Sequence, residues 1–251
     1  MAIISNSLGL AIVILTVLAF LIFALLARRG FRPEMRLLSA YQALPGQVGQ
    51  AVESGGRMHI SLGPNSIVSE DAATTVAGLA ALEYVAGASA ISDQAPVGTT
   101  ADATALFVIA DALRRAYRIQ GTLEKYDRTA PRLLALDPVA LAGAATSVVA
   151  DDDVRANVLI GSFGPEAALI AEAGARQGIS QTIGSDRLEG QAVAYVMADH
   201  PLIGEELYVA SAYLTGRPAP MASLAAQDVL RWVVIIAIIV GAVMTTLGVL
   251  R

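Results

Sequence analysis

The sequence contains no cysteine and very little lysine or histidine. Its 251 residues include one lysine, Lys125, and two histidines, His59 and His200. Without cysteine the chain can form no disulfide, no thiolate metal site and no cysteine nucleophile. Two histidines are too few for a multi-histidine metal centre. We therefore predict that the protein binds no metal and no cofactor.

Charged side chains are also missing from both ends of the chain. No ionisable side chain occurs from Met1 to Ala27 or from Trp232 to Leu250. A helix of about twenty apolar residues crosses a hydrocarbon core of roughly 30 Å. Both runs reach that length, and a buried core helix rarely does so without a polar face. The sequence predicts two transmembrane helices, one at each end, which makes the lipid bilayer an expected partner.

Arginines beside these runs predict the orientation. A signal peptide carries basic residues before its apolar stretch, whereas only Ser5, Asn6 and Ser7 stand there in this chain. Basic flanks stay in the cytoplasm, and five arginines lie on the inner sides of the two runs: Arg28, Arg29, Arg32, Arg36 and Arg231. Arg251 weakly opposes this orientation. We expect two retained spans in a bacterial inner membrane, with the central region in the cytoplasm and both termini outside.

The central region is acidic. From Leu37 to Asp228 it holds 11 basic and 21 acidic residues, a net charge of −10. A surface of that sign repels the phosphate backbone, so nucleic acid is not an expected partner. Since no long linker divides this region, we predict three parts: a transmembrane helix over 1–28, one cytoplasmic domain over 29–228, and a second transmembrane helix over 229–251.

Short apolar segments alternate with helical patterns through the central region. The pattern predicts strands at Arg57–Leu62, Ala88–Ile91, Leu133–Leu136, Asn157–Ser162, Ser180–Ile183 and Gln191–Met197. It predicts helices at Ser66–Val85, Ala101–Gln120, Pro138–Val149, Glu166–Gln177 and Pro201–Leu214. Such alternation favours an α/β fold, in which a mostly parallel sheet is flanked by helices in Rossmann-like layers.

One turn sequence occurs twice in that pattern. Ser61-Leu62-Gly63-Pro64 and Ser162-Phe163-Gly164-Pro165 lie 101 residues apart, and each follows a predicted strand and precedes a predicted helix. Two explanations stay open. The domain consists of two diverged halves, or the same turn chemistry arose twice, because proline is common at the first position of a helix.

These turns also supply candidate ligand-binding residues. The first amides of a helix lack partners and attract anions, and open α/β sheets bind ligands at the carboxyl ends of their strands. The candidates are Ser61, Gly63, Gly98, Thr99, Ser162, Gly164, Gly184 and Ser185. Neither a G-x-x-x-x-G-K-[ST] loop nor a G-x-G-x-x-G fingerprint accompanies them. Ordinary structural turns therefore remain the competing interpretation.

No catalytic set is evident. Asp137-Pro138 and Asp199-His200-Pro201 follow predicted strands, where an aspartate or histidine can act as a base. An aspartate before proline more often caps a helix, which we expect for Asp137 and Asp199. His59 lies inside a predicted strand, and we expect hydrogen bonds to satisfy it. The G-x-S-x-G motif of serine hydrolases is absent. The sequence thus favours a protein that is not an enzyme.

Small residues recur along the second apolar run. Ala237, Gly241 and Thr245 are spaced four residues apart, which places them on one face of a helix. Small side chains let a second helix approach closely. We predict a helix-packing face here, directed toward the first apolar helix or toward another copy of the chain.

The segment LPGQVGQAVESGGRMHISLGPNSIVSEDAATTVAGLAALEYVA, residues 44–86, resembles an uncharacterised family of bacterial membrane proteins known only as a domain of unknown function. The resemblance extends over most of the chain. It implies a bacterial membrane-anchored protein, and it carries over no activity, cofactor or catalytic residue.

Two functions fit these observations best. The first is a membrane-anchored scaffold or assembly component that binds itself or another membrane protein. The alternative is a membrane-tethered sensor or binding module for a small anionic or nucleotide-like ligand. A hydrolase or transferase that uses Asp137, Asp199 or His200 is a third possibility with less support.

Overall fold

A computed structural model of the protein describes residues 2–30 and 35–247, apart from the side chains of residues 2–8 and 11. Arg32 and Arg251, two of the arginines used for the orientation, lie outside the described residues. The chain divides into two compact units. One is the α/β unit, Leu37–Thr215, and the other combines Met1–Arg36 with Gly216–Arg251.

The α/β unit contains six strands and the helices α2 to α8 within its described residues. The strands are β1 (Arg57–Ser61), β2 (Val97–Thr100), β3 (Pro131–Leu133), β4 (Val154–Ile160), β5 (Ser180–Gly184) and β6 (His200–Leu202). The helices are α2 (Ser39–Glu53), α3 (Ala72–Ser89), α4 (Ala103–Ile119), α5 (Pro138–Asp151), α6 (Ala167–Gln177), α7 (Leu188–Met197) and α8 (Ala210–Thr215). Short 3-10 helices lie at Leu123–Lys125 and Gly204–Val209.

The six strands form one parallel sheet in the order β3-β2-β1-β4-β5-β6. The predicted α/β fold with a mostly parallel sheet is therefore confirmed. The order reverses between β1 and β4, so the chain winds outward from the centre in both directions. Right-handed crossovers then place helices on both faces of the sheet.

Successive side chains of a strand point to opposite faces of the sheet, and each face packs in its own hydrophobic core. Met58 and Ile60 of β1 pack with α2, α3, α4 and α8, whereas Leu159 of β4 and Ile183 of β5 pack with α5, α6 and α7. A strand buried on both faces needs apolar side chains in both directions. This explains why the central strands β1 and β4 are buried along most of their length instead of at every second residue.

The repeated turns occupy equivalent places in the topology. Gly63-Pro64 follows β1 and Gly164-Pro165 follows β4, and these are the first strands of two β-α-β-α-β halves. The two turns differ in detail, since Gly63 has φ of +78° and the loop after it runs to Ala72, whereas α6 begins at Ala167. The layout fits two halves, and it is also what any doubly wound sheet produces.

Several predicted elements are wrong. Gln191–Met197 is not a strand but the second half of α7, and Pro201 lies in β6 rather than at the start of a helix. Two adjacent parallel strands require a crossover between them, and α7 supplies it for β5 and β6. Ala88–Ile91 is likewise not a strand, since α3 continues through Ser89. Strand β2 lies later, at Val97–Thr100, where small polar residues concealed it.

The second unit contains α1 (Ala2–Arg28) and α9 (Pro218–Thr246), which pack against each other. Among the described residues, α9 alone is long and apolar enough to cross a membrane, with a mean hydropathy of 2.3 over its apolar window. None of that window is buried. The apolar part of α1 that is described, Ile12–Arg28, is shorter. One of the two predicted spans is thus a candidate by length and composition, and α9 begins before the predicted boundary at 229.

Candidate functional site at the carboxyl edge of the sheet

The eight predicted ligand residues lie on four neighbouring strands at or near their carboxyl ends. Ser61 and Gly63 belong to β1 and its turn, and Ser162 and Gly164 follow β4 next to it. Gly98 and Thr99 lie in β2, while Gly184 and Ser185 end β5. The fold therefore brings these residues to one edge of the sheet, at the point where the strand order reverses. Ligand crevices of open α/β sheets form at such a point.

Glycines let neighbouring backbone segments approach closely where the strand order reverses, which leaves little room for a crevice. A Cβ atom on Gly161 would collide with the carbonyl of Leu62, and one on Gly190 of α7 would collide with the carbonyl of Phe163. The ring of Phe163 is fully buried and lies against Gly63. Its side chain occupies the space between the ends of β1 and β4.

Hydrogen bonds close the edge further. The Thr100 hydroxyl donates to the Gly63 carbonyl at 3.1 Å, which ties the end of β2 to the turn after β1. The Ser185 hydroxyl donates to the Phe163 carbonyl at 2.7 Å, which ties the end of β5 to the turn after β4. These hydroxyls are thus engaged with the protein's own backbone.

The amino terminus of α6 holds an anion supplied by the chain itself. The Gly164 amide donates to the Glu166 carboxylate, with an N to Oε1 distance of 2.7 Å. The Arg187 guanidinium lies over the same glycine, because a Cβ on Gly164 would be 3.3 Å from Nη1. A carboxylate at this position satisfies the positive helix end that an external anion would use.

All eight candidates are buried, and most have a packing or hydrogen-bonding role. A Cβ on Gly98 would lie 2.6 Å from Ile109 of α4, and one on Gly184 would lie 2.8 Å from Leu202 of β6. These two glycines allow close contact with neighbouring elements. Contact with a ligand at the eight residues stays a prediction, and the described side chains explain their burial without one.

Sequence reasoning missed a buried polar row that crosses four strands. His59 Nδ1 lies 2.8 Å from the Asn157 amide oxygen, and His59 Nε2 lies 2.9 Å from the Thr99 hydroxyl. The Asn157 amide donates to Gln181 Oε1 at 3.1 Å, and Gln181 donates to the Ala171 carbonyl of α6 at 2.9 Å. All four side chains are buried. A partial signal was available in β1 and β4, where His59 lies between Met58 and Ile60 and Asn157 lies between Ala156 and Val158.

The row assigns the tautomer of His59. With the Asn157 amide oriented so that its nitrogen donates to Gln181, its oxygen must accept from His59, so Nδ1 carries the proton and Nε2 accepts from Thr99. Burial, above all, lowers the pKa of His59 from 6.5 to about 4. The imidazole is neutral at pH 7, and both nitrogens are bonded, as expected from its position in a strand.

The three residues considered for catalysis do not form one site, because Asp137 lies far from the neighbouring Asp199 and His200. Asp137 caps α5, accepting from the amides of Val139 at 2.9 Å and Ala140 at 3.0 Å, as predicted. The helix cap predicted for Asp199 is wrong, because its carboxylate accepts from the Gln181 amide of β5 at 2.8 Å. Asp137 follows β3 and Asp199 precedes β6, so they lie at opposite edges of the sheet and opposite ends of its strands.

Three cavities of the α/β unit lie away from the carboxyl edge. One of about 650 Å³ at the amino end of β5 is lined by Asp199 and His200. Another of about 830 Å³ lies beside α4 and Tyr126, and the third, of about 380 Å³, lies between α5 and α6. Among the described residues, no group of three or more histidine, aspartate or glutamate side chains could hold a metal ion.

The predicted packing face of α9 is open in the structure. Ala237 and Thr245 are exposed, and a Cβ on Gly241 would meet no described atom within 4 Å. The Thr245 hydroxyl donates back to the Gly241 carbonyl at 2.8 Å. Packing of this face, against α1 or against another copy of the chain, therefore stays a prediction.

Comparison with known protein families gives a match that covers nearly the whole chain. The family described as Domain of unknown function (DUF6754) matches residues 3–251. The chain belongs to this family. Comparison with curated proteins and with solved structures finds no match. The family match agrees with the resemblance of residues 44–86 and supplies no activity, so the function has to be argued from this chain's own geometry.

Proposed function

We propose that this protein is a membrane-anchored scaffold or assembly component. In this proposal the α/β unit lies in the cytoplasm of a bacterial cell and both termini lie outside. The supporting observation is α9, a helix of 29 residues whose apolar window has a mean hydropathy of 2.3 and no buried residue. The core helix of a soluble protein would be mostly buried. Lipid is the environment in which such an exposed apolar helix is stable.

The positions of the exposed apolar side chains and of the candidate catalytic residues support a scaffold function. At the carboxyl edge Phe163 is buried and Glu166 accepts from the Gly164 amide, and Asp137 lies across the sheet from Asp199 and His200. In contrast, α7 presents Leu188, Tyr195 and Val196 to solvent, with exposures of 81%, 77% and 80%. Grouped exposed apolar side chains mark surfaces that bind other macromolecules. A surface of this kind supports binding better than catalysis.

Membrane anchoring is tested by alkaline carbonate washing of membranes that contain the full chain. We expect the wild type to stay in the membrane pellet and the I235E/I239E variant to be released in part, since charge at the middle of a span opposes insertion and leaves α1 as the remaining anchor. The V68E/I91E variant is the matched control, because it places the same charges on exposed apolar positions of the α/β unit. Release of the wild type would contradict anchoring.

Assembly is tested by native mass spectrometry of the full chain extracted in mild detergent. We expect an oligomer or a co-purified protein. A monomer with no co-purified protein, from a preparation in which the chain was retained in the membrane, would contradict the scaffold function.

A ligand sensor is the second candidate function. The observation in its favour is the reversal of strand order between β1 and β4, where α/β sheets bind ligands. Glu166→Gln would remove the internal carboxylate charge at α6 and favour an external anion. The test is a thermal-shift screen of inorganic phosphate and nucleotides on the wild type and on this variant. A flat response from both would eliminate the sensor.

A further inference from the structure

The exposed side of α7 forms one continuous apolar stripe. Leu188, Ala192, Tyr195 and Val196 follow the spacing i, i+4, i+7 and i+8, which places them on a single helix face, and all four are exposed. We call these four residues the α7 face. The opposite side of the helix is buried at Gly190 and Ala194. The α7 face is therefore the unpartnered side of a helix that is otherwise packed in the unit.

We propose that the α7 face binds the α7 face of a second copy of the chain, with the two helices antiparallel about a two-fold axis at Ala192. This inference rests on the proposed scaffold function and names its partner. In this pairing Leu188 of one copy lies against Val196 of the other. The two copies of Ala192 meet at the axis, where a small side chain lets the helices approach closely.

Polar groups at the margins of the α7 face fit the same pairing. Glu189 of one copy lies opposite Tyr195 of the other, so that the tyrosine hydroxyl can donate to the carboxylate. Arg187 at the start of α7 is brought to the end of the partner helix, where Asp199 is exposed. Opposite charges then meet at both ends of the contact. A parallel pairing would instead place like charges together.

Other occupants fit less well. A membrane surface with anionic lipids attracts clustered lysine and arginine, whereas the region from Leu37 to Asp228 has a net charge of −10. Extension of the sheet is disfavoured at both edge strands. β3 and β6 are three residues long, and each contains a proline, Pro131 and Pro201. The α7 face is thus an apolar surface of the α/β unit that can join two copies.

The contact is small for an independent dimer. A stable dimer buries about 800 Å² on each partner, more than four side chains of one helix provide. Two chains held in one membrane have a raised effective concentration, so a weak contact suffices. The α7 face itself carries no charge, and salt screens the remaining acidic charge over about 8 Å.

The test uses single cysteines, because the chain has none of its own. Residues at the two-fold axis of packed helices come close enough for a disulfide, which requires Cα atoms within about 7 Å. We expect A192C in the full chain, oxidised in native membranes, to form a disulfide-linked dimer. D111C on exposed α4 is the control for random collision. Equal dimer yields from A192C and D111C would overturn the proposal.

A charge exchange tests the direction of the pairing. Added to A192C, L188E or V196R alone should lower the dimer yield by at least about tenfold, because an unpaired charge is placed in an apolar contact. L188E and V196R together should restore it, since each new glutamate meets a new arginine of the other copy. Failure of the double variant to recover would overturn the antiparallel pairing. Both positions are exposed, so folding should be unaffected and is checked by circular dichroism.

Membrane retention is measured on the same samples by carbonate washing. Release from the membrane would count against the proposed anchoring, whereas retained chains without a specific A192C dimer would count against the α7 contact. The two failures are therefore separate results.

Discussion

At the scale of single residues, the row from Thr99 through His59 and Asn157 to Gln181 determines how the central strands align. His59, Asn157 and Gln181 are direct register partners across β1, β4 and β5. A shift of one residue would turn each polar side chain to the other face and leave it without a partner. An unpaired buried polar group costs about 1–3 kcal/mol. The row therefore selects one register out of several that apolar strands alone would allow.

The same row predicts a loss of stability in mild acid. Burial lowers the pKa of His59 from 6.5 to about 4. Between these values the unfolded chain binds a proton that the folded chain does not, so the free energy of unfolding decreases as the pH falls from 6.5 to 4. At about 1.4 kcal/mol per pKa unit, the loss approaches roughly 3 kcal/mol. Urea denaturation of the detergent-solubilised chain at several pH values measures it.

His59→Asn provides the control for this pH dependence. Asparagine can still donate to Asn157, but it does not titrate, so we expect lower stability at pH 7 and a much flatter profile between pH 6.5 and 4. Asp102 and Asp127 also have lowered pKa values, and their contribution is lost only below their ordinary pKa of 3.8. An equally steep profile in the variant would show that another group is responsible.

The sequence predicts where the candidate residues lie in the fold. It does not predict whether the space between them is open or filled by other side chains. The Gly-Pro turns after two apolar strands correctly indicated where residues such as Gly63 and Gly164 lie. Whether that edge is open depends on Phe163, which fills the gap, and on Glu166, which reaches back to the Gly164 amide. A side chain's direction is determined by neighbours that only the folded sheet brings together. The turn motif alone carries no information on that point.

At the scale of elements, α3 depends on one glycine for its contact with the sheet. A Cβ on Gly78 would collide with the backbone carbonyl of Ile160 at the end of β4, and that atom cannot move aside cheaply. Gly87 lies in the same helix with no atom within 4 Å of its Cβ position. We expect Gly78→Ala to destabilise the protein by about 2 kcal/mol or more. Gly87→Ala should stabilise it by about 0.5–1 kcal/mol.

Urea denaturation of the two variants, compared with the wild type, distinguishes these effects. The variants add the same methyl group to the same helix, so propensity favours both and only packing against β4 separates them. A stabilising Gly78→Ala would mean that α3 shifts away from β4 without cost. A destabilising Gly87→Ala would point to crowding at the carboxyl end of α3.

Elements with clear apolar or amphipathic patterns were predictable, including the short strands β1 and β5, whereas β2 and the helical nature of 191–197 were not. α4 and α6 were recognised within a few residues from their helical periodicity and flanking turns. The segment QAVAYVM predicts a strand wrongly because its run of six apolar residues fits a buried strand and a helix equally well. The decision comes from topology, since β5 and β6 are parallel neighbours and need a crossover between them. That information is not local to the segment.

At the scale of the whole molecule, the division of the chain follows the distribution of charge. The charged residues lie between the two apolar ends, and the α/β unit, Leu37–Thr215, forms its own two cores around the sheet. The apolar ends belong to the other unit, which includes α1 and α9. The division into two units thus runs close to the change in composition along the chain. The exact limits differ because α9 extends into polar sequence as far as Pro218.

Charge also predicts the orientation of the α/β unit across the membrane. A cysteine introduced as D111C should react with a membrane-impermeant maleimide only after spheroplasts are permeabilised, because in the proposed topology the basic flanks, and with them this unit, lie in the cytoplasm. Replacing Arg28, Arg29, Arg32 and Arg36 with glutamine should make a share of the chains reactive from outside. The matched control replaces four arginines of the α/β unit with glutamine instead: Arg114, Arg115, Arg118 and Arg176.

The control changes the net charge by the same amount, so a difference between the two variants isolates the position of the arginines. Arg115 and Arg176 form exposed ion pairs, which contribute little to stability, and the control variant should therefore remain folded. Labelling of D111C from outside in the otherwise unchanged chain would reverse the proposed orientation. Equal labelling in both arginine variants would mean that net charge, rather than the flanks of α1, determines which side of the membrane the α/β unit occupies.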